Sequence, residues 1–89
     1  QYQTAINDYT KAIQLDPDDA LAYVNRGVSY DELDQYQDAI NDYTTAIQIG
    51  GDYDAYAYNN RGYSYRNLGQ YTLASADDAK ACSLDSKYC

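Results

Sequence analysis

An all-α fold, an antiparallel helix-pair solenoid of five helices and about two and a half repeats, is what this chain predicts, on three observations. The stretch QYQTAINDYTKAIQL (1–15) returns as QYQDAINDYTTAIQI (35–49), identical at twelve of fifteen places and 34 residues on. YVNRGVSYDELDQY (23–36) returns as YNNRGYSYRNLGQY (58–71), 35 residues on. A fixed period of this size marks stacked repeats, none of which buries its apolar face alone. The third observation is local: Tyr36, Ala39, Ile40, Tyr43, Ala46 and Ile47 fall at i, i+3, i+4, i+7, the stripe of an amphipathic helix.

The elements follow in order. Gln3–Gln14 reads as the second helix of a pair. Asp16-Pro17-Asp18 ends it, since proline cannot continue a helix, and Asp18 or Asp19 suits the cap of the next. Ala20–Leu33 and Gln37–Ile49 form the complete pair, joined by the polar turn Asp34-Gln35. Gly50-Gly51 supplies a left-handed close, and Asp52 or Asp54 is expected to cap the third pair, Ala55–Leu68 and Thr72–Ser83. The chain is thus one domain, 1–89: a half repeat over 1–19, a full repeat over 20–54, and a final repeat with a capping helix over 55–89. In the last helix Asp78 takes the place of Tyr9 and Tyr43, and alanines replace bulkier groups. A thinner, more polar helix suits a terminal cap. The chain opens inside a second-of-pair helix, so it is expected to belong to a longer array and to have modest stability alone.

Composition narrows the functional classes. Fourteen acidic residues against six basic ones give a formal charge of −8. That disfavours nucleic acid and anionic membranes, which select basic surfaces, and favours neutral or basic protein partners. No apolar run is long enough to span a membrane. There is no histidine, so the commonest general base and metal ligand is missing, and no phosphate loop or activated nucleophile is visible. No catalysis, cofactor or metal site is expected. Thirteen tyrosines with no Phe, Trp or Met predict a core in which buried phenols need hydrogen-bond partners.

The unit resembles the tetratricopeptide repeat, whose pattern runs aromatic, Leu-Gly, Tyr, Ala-x3-aromatic, Pro. The matching residues are Tyr23, Arg26-Gly27, Tyr30, Ala39 and Tyr43, with Ala5, Tyr9 and Pro17 in the first copy and Tyr58, Arg61-Gly62, Tyr65 and Ala74 in the last. Arg26 and Arg61 depart from the pattern, standing where the family has Leu on the packed side of the first helix. A guanidinium placed there must be paired. Asp8, Asp42 and Asp77 recur with the same period, which predicts bidentate pairs copied along the stack. The sequence leaves open whether Arg26 takes Asp42 or Asp8. Cys82 and Cys89 also leave two readings. On one continuous helix they would lie roughly 10 Å apart, too far to bridge. If the helix ends near Ser83 and the tail folds back, a disulfide becomes possible, as in the cysteine-rich relatives that KACSLDSKYC loosely resembles; the other reading is one small core thiol and one free terminal thiol.

The two copies of the first helix differ at Leu21/Tyr56, Val24/Asn59, Val28/Tyr63, Asp31/Arg66 and Glu32/Asn67, spaced as a single stripe. The resemblance implies that this face, with Asn25, Asn59 and Asn60 among its residues, lines a concave groove for an extended peptide or a partner's helix. One subtype of the family clamps a terminal carboxylate with paired Lys and Asn there, and those three asparagines are the amides available for it. Neither first helix here carries Lys, and Arg66 is the one cation on the stripe, which speaks against that subtype. The expected function is a non-catalytic protein-interaction scaffold. The alternative is an architectural or self-associating segment without a peptide ligand, pairing through the open N-terminal helix.

Overall fold

Proline and aspartate end the first helix as their chemistry requires. In the computed structural model, which describes residues 1–89, the Asp16 carboxylate accepts the Asp18 N–H at 3.1 Å, and Asp19 accepts the Ala22 N–H at 3.1 Å. Asp19 is therefore the cap of the second helix. The chain forms α1 (Tyr2–Leu15), α2 (Ala20–Glu32), α3 (Tyr36–Ile49), α4 (Asp54–Asn67), α5 (Tyr71–Leu84) and a closing 3-10 turn, Ser86–Tyr88. Each helix packs on the next, and α2 also touches α4. This is an all-α helical-repeat solenoid. No helix is long and apolar enough to cross a membrane.

The linkers repeat with the helices. Asp34 (φ +60°) and Gly69 (φ +77°) hold equivalent left-handed positions, after which the Gln35 and Gln70 N–H groups reach back to the Tyr30 and Tyr65 carbonyls, each at 2.9 Å. The longer link before α4 departs from expectation. Gly50 and Gly51 both have positive φ, and the cap position falls to Tyr53, with no side-chain cap. Neither Asp52 nor Asp54 caps; Asp54 begins the helix, where its carboxylate still favours the positive end of the dipole.

The core is built from small residues around one ring. Val24, Ala39, Tyr43, Ala46 and Ala57 form the buried cluster, with Val28, Ile47 and Tyr56 packed against it. Gly27 lets α3 approach: a Cβ there would lie 2.6 Å from the Tyr43 ring. In the next repeat Asp78 replaces that ring, and the same close approach at Gly62 is to its carboxylate, also at 2.6 Å.

Candidate functional site

Two arginines tie the helix pairs together. Arg26 Nε donates to Asp42 Oδ2 and Nη2 to Asp42 Oδ1, each at 2.8 Å, while Nη1 reaches Thr10 on α1 at 3.2 Å. The next repeat copies this. Arg61 forks onto Asp77 at 2.7 and 2.9 Å and touches Thr44 on α3 at 3.1 Å. Each guanidinium thus takes the carboxylate of its own repeat and the hydroxyl of the preceding one. Asp8 has no part in it; it is exposed. The hydrogen bonds to Asp42 and Asp77 raise the two arginine pKa values against the opposing effect of burial. Each guanidinium is also flanked by two tyrosine rings: Tyr23 and Tyr30 at 5.6 and 5.8 Å from Arg26, and Tyr58 and Tyr65 at 5.3 and 5.6 Å from Arg61. The threonine contacts and this aromatic sandwich go beyond the paired charges that the repeat period predicts. Their signal was present, as Tyr-x2-Arg-x3-Tyr in both first helices and a threonine recurring at 10 and 44.

Two of the stripe residues belong to the interior. Val24 is 0% exposed because α4 covers it through Ala57. Asp31 is buried too: it accepts the Tyr43 hydroxyl on α3 and the Ser64 hydroxyl on α4, both at 2.7 Å. Burial raises its pKa, and the Ser64 and Tyr43 hydrogen bonds work against that rise. Burial and the neighbouring carboxylate push the Tyr43 phenol well up. Asp31 is therefore a bolt between repeats rather than a groove residue. Its counterpart Arg66 pairs with Asp78, the residue that stands in place of Tyr43. A carboxylate–phenol contact in one repeat becomes a guanidinium–carboxylate contact in the next.

The rest of the stripe is open to varying degrees. Glu32, Tyr63, Arg66 and Asn67 are exposed, and Leu21, Asn25, Val28, Tyr56, Asn59 and Asn60 are half-buried. Tyr63 is the largest free apolar surface among them, 52% exposed. Asn60 Nδ2 is buried and has no hydrogen-bond partner.

With this geometry in place, comparison decides the family. Sequence models of the family match three stretches: "TPR repeat" over residues 1–34 and "Tetratricopeptide repeat" over 20–53 and 55–88. The TPR domain of Arabidopsis OM64 is 36% identical, with a TM-score of 0.93 over 98% of this chain and 71% of that one. The chain belongs to the tetratricopeptide repeat family. The second TPR of Spaghetti (RPAP3), bound to the HSP90 peptide SRMEEVD, is 33% identical with a TM-score of 0.89, over 94% of this chain and 77% of that one. The second TPR domain of human RPAP3, in complex with the HSP70 peptide SGPTIEEVD, matches equally well, 33% identical at 0.89 over 96% and 70%. No curated protein sequence matches.

At the far end of this TPR chain the tail folds back. Helix α5 stops at Leu84, Asp85 is extended, and Ser86–Tyr88 turns so that Cys82 and Cys89 are joined as a disulfide with Cα atoms 4.7 Å apart. The turn is organised by Asp85, whose carboxylate accepts the Lys87 N–H at 3.1 Å.

Proposed function

We propose that this TPR segment is a protein-interaction scaffold whose first-helix face, α2 and α4, takes an extended peptide of neutral or basic character. The observation that carries this is the Tyr63 ring, left 52% exposed on α4. Around it, Leu21, Val28 and Tyr56 supply half-buried apolar area, and tyrosine is a residue class that anchors interfaces.

The two RPAP3 domains above are bound to peptides ending in Glu-Glu-Val-Asp. This chain is poorly suited to so acidic an end. Its net charge is −8, and Arg66, the one cation on the stripe, is already paired with Asp78. Glu32 adds a further negative charge to the face. An internal segment, or one carrying lysine or arginine, fits the balance better. Selection of a random peptide display library tests the reading. The expected pool is neutral to basic, and its binding is lost to the Tyr63→Ser variant. A pool of acidic C-terminal sequences, or one indifferent to Tyr63, contradicts it.

A further inference from the structure

A cleft of about 380 Å3 opens between the start of α4 and the fastened tail. Asp52, Tyr53 and Tyr56 form one wall, and Asp85, Lys87 and Tyr88 form the other. Three tyrosines, two aspartates and one lysine, together with Ala55, thus line a half-open space of small-molecule size. Aromatic faces are negative and attract cations, above all when water is partly excluded. One ring of the cleft already does so within the chain: the Lys87 ammonium lies 5.2 Å from the Tyr88 ring centroid.

The charge balance selects among ligands. An anion would meet two carboxylates against one lysine, on a chain of charge −8. A neutral apolar ligand would strip water from Asp52 and Asp85 and return no partner. A weakly hydrated cation gains from both the rings and the carboxylates. We propose that this cleft is a binding site for an ammonium-bearing ligand, with a quaternary or alkylated head held among Tyr53, Tyr56 and Tyr88 and neutralised by Asp52 and Asp85. The second wall lies within the seven-residue separation closed by the Cys82–Cys89 bridge, so that bridge keeps Tyr88 and Lys87 opposite α4. Tyr56 alone is shared with the peptide face, so the two sites are separable by mutation.

Choline is the probe, set against 3,3-dimethyl-1-butanol, its neutral isostere. Both are titrated into the intact chain at fixed ionic strength, with the tyrosine ring signals followed by NMR. Choline is expected to bind saturably, the isostere about tenfold or more weakly. Tyr88→Leu should lose choline while Tyr88→Phe keeps it, because the ring face is what matters. Lys87→Gln should keep or tighten binding by removing the resident ammonium, and joint Cys82→Ser and Cys89→Ser changes should weaken it. A thermal melt of each variant shows whether the fold persists, and the Leu/Phe contrast holds even if stability shifts. Acetyl-trimethyllysine amide separates the sources: tighter binding than choline points to a modified peptide side chain, weaker binding to a free small molecule. Equal binding of the isostere, weaker choline binding in Lys87→Gln, or no saturable shift would overturn the assignment.

Discussion

Asp42 and Arg26 form the contact on which the stacking most depends, because one guanidinium serves two repeats. Their side chains retain 6% and 18% exposure, so the pair is largely desolvated. Removing one partner strands the other, which costs about 3–5 kcal/mol for a buried pair. Asp42→Ala is expected to destabilise by the lower end of that range, since Arg26 keeps some solvent. Arg26→Leu combined with Asp42→Leu should be far milder, and denaturant unfolding of the three variants reads the difference. Additive losses would mean the two charges contribute independently.

Asp31 offers a second test at this scale. Asp31→Ala leaves two buried hydroxyls, on Tyr43 and Ser64, without their acceptor, at a cost of roughly 2–4 kcal/mol. Asp31→Asn keeps an acceptor and removes the charge. Because Asp31's folded pKa is raised above its unfolded value of 3.8, the folded state binds the proton more readily. Its contribution is therefore full below 3.8 and is lost as pH rises through the folded value. Wild type should gain stability relative to Asp31→Asn on acidification from neutral towards 3.8, which urea titrations of both proteins across that range will show. A constant difference would contradict the assignment. Ordinary titration of the other carboxylates cancels in the comparison.

Among the elements, the two close helix approaches look alike in sequence and differ in consequence. A methyl at Gly27 meets the fully buried Tyr43 ring, which has nowhere to go. Overpacking of this kind costs about 1–3 kcal/mol. A methyl at Gly62 meets Asp78, whose side chain is 42% exposed and can swing away, with the Ala74 carbonyl at 3.2 Å as the firmer neighbour. Alanine also gains up to about 1 kcal/mol over glycine in a helix interior. Gly27→Ala should therefore lower the melting midpoint clearly, and Gly62→Ala should leave it nearly unchanged. Equal losses would show that Asp78 is held as rigidly as the ring.

For the whole molecule, period and amphipathic spacing made the helix-pair solenoid legible before any coordinate. The recurring Arg and Asp pointed to paired charges, and the structure supplies the choice: Asp42 and Asp77, with Asp8 left in solvent. The stripe was less legible, for a physical reason. A substitution between copies arises on a free face, but equally where the two copies have different neighbours. Val24 and Asp31 face α4 and are enclosed; at the same register Asn59 is half-buried and Arg66 is exposed, reaching only Asp78 on α5. The fold-back of the tail was open in sequence because nothing local says where α5 stops. The face of α1 turned away from α2 is the most open apolar surface of the first repeat. Leu15 is 88% and Tyr2 49% exposed, and Ala5, Tyr9, Ala12 and Ile13 are only half-buried. Such a face favours pairing with a second copy. Sedimentation is expected to show self-association at high concentration, weakened by Leu15→Lys; a monomer at millimolar concentration would rule it out.

The scaffold reading stands or falls on charge and on Tyr63. Fluorescence anisotropy with two labelled peptides decides it: SGPTIEEVD with a free carboxylate, and SGPTIKKVK with an amidated end. The basic peptide is expected to bind more tightly, added salt to narrow the gap, and Tyr63→Ser to abolish binding with little change in thermal midpoint. Tighter binding of the acidic peptide, or a Tyr63→Ser variant that binds as wild type does, would contradict it.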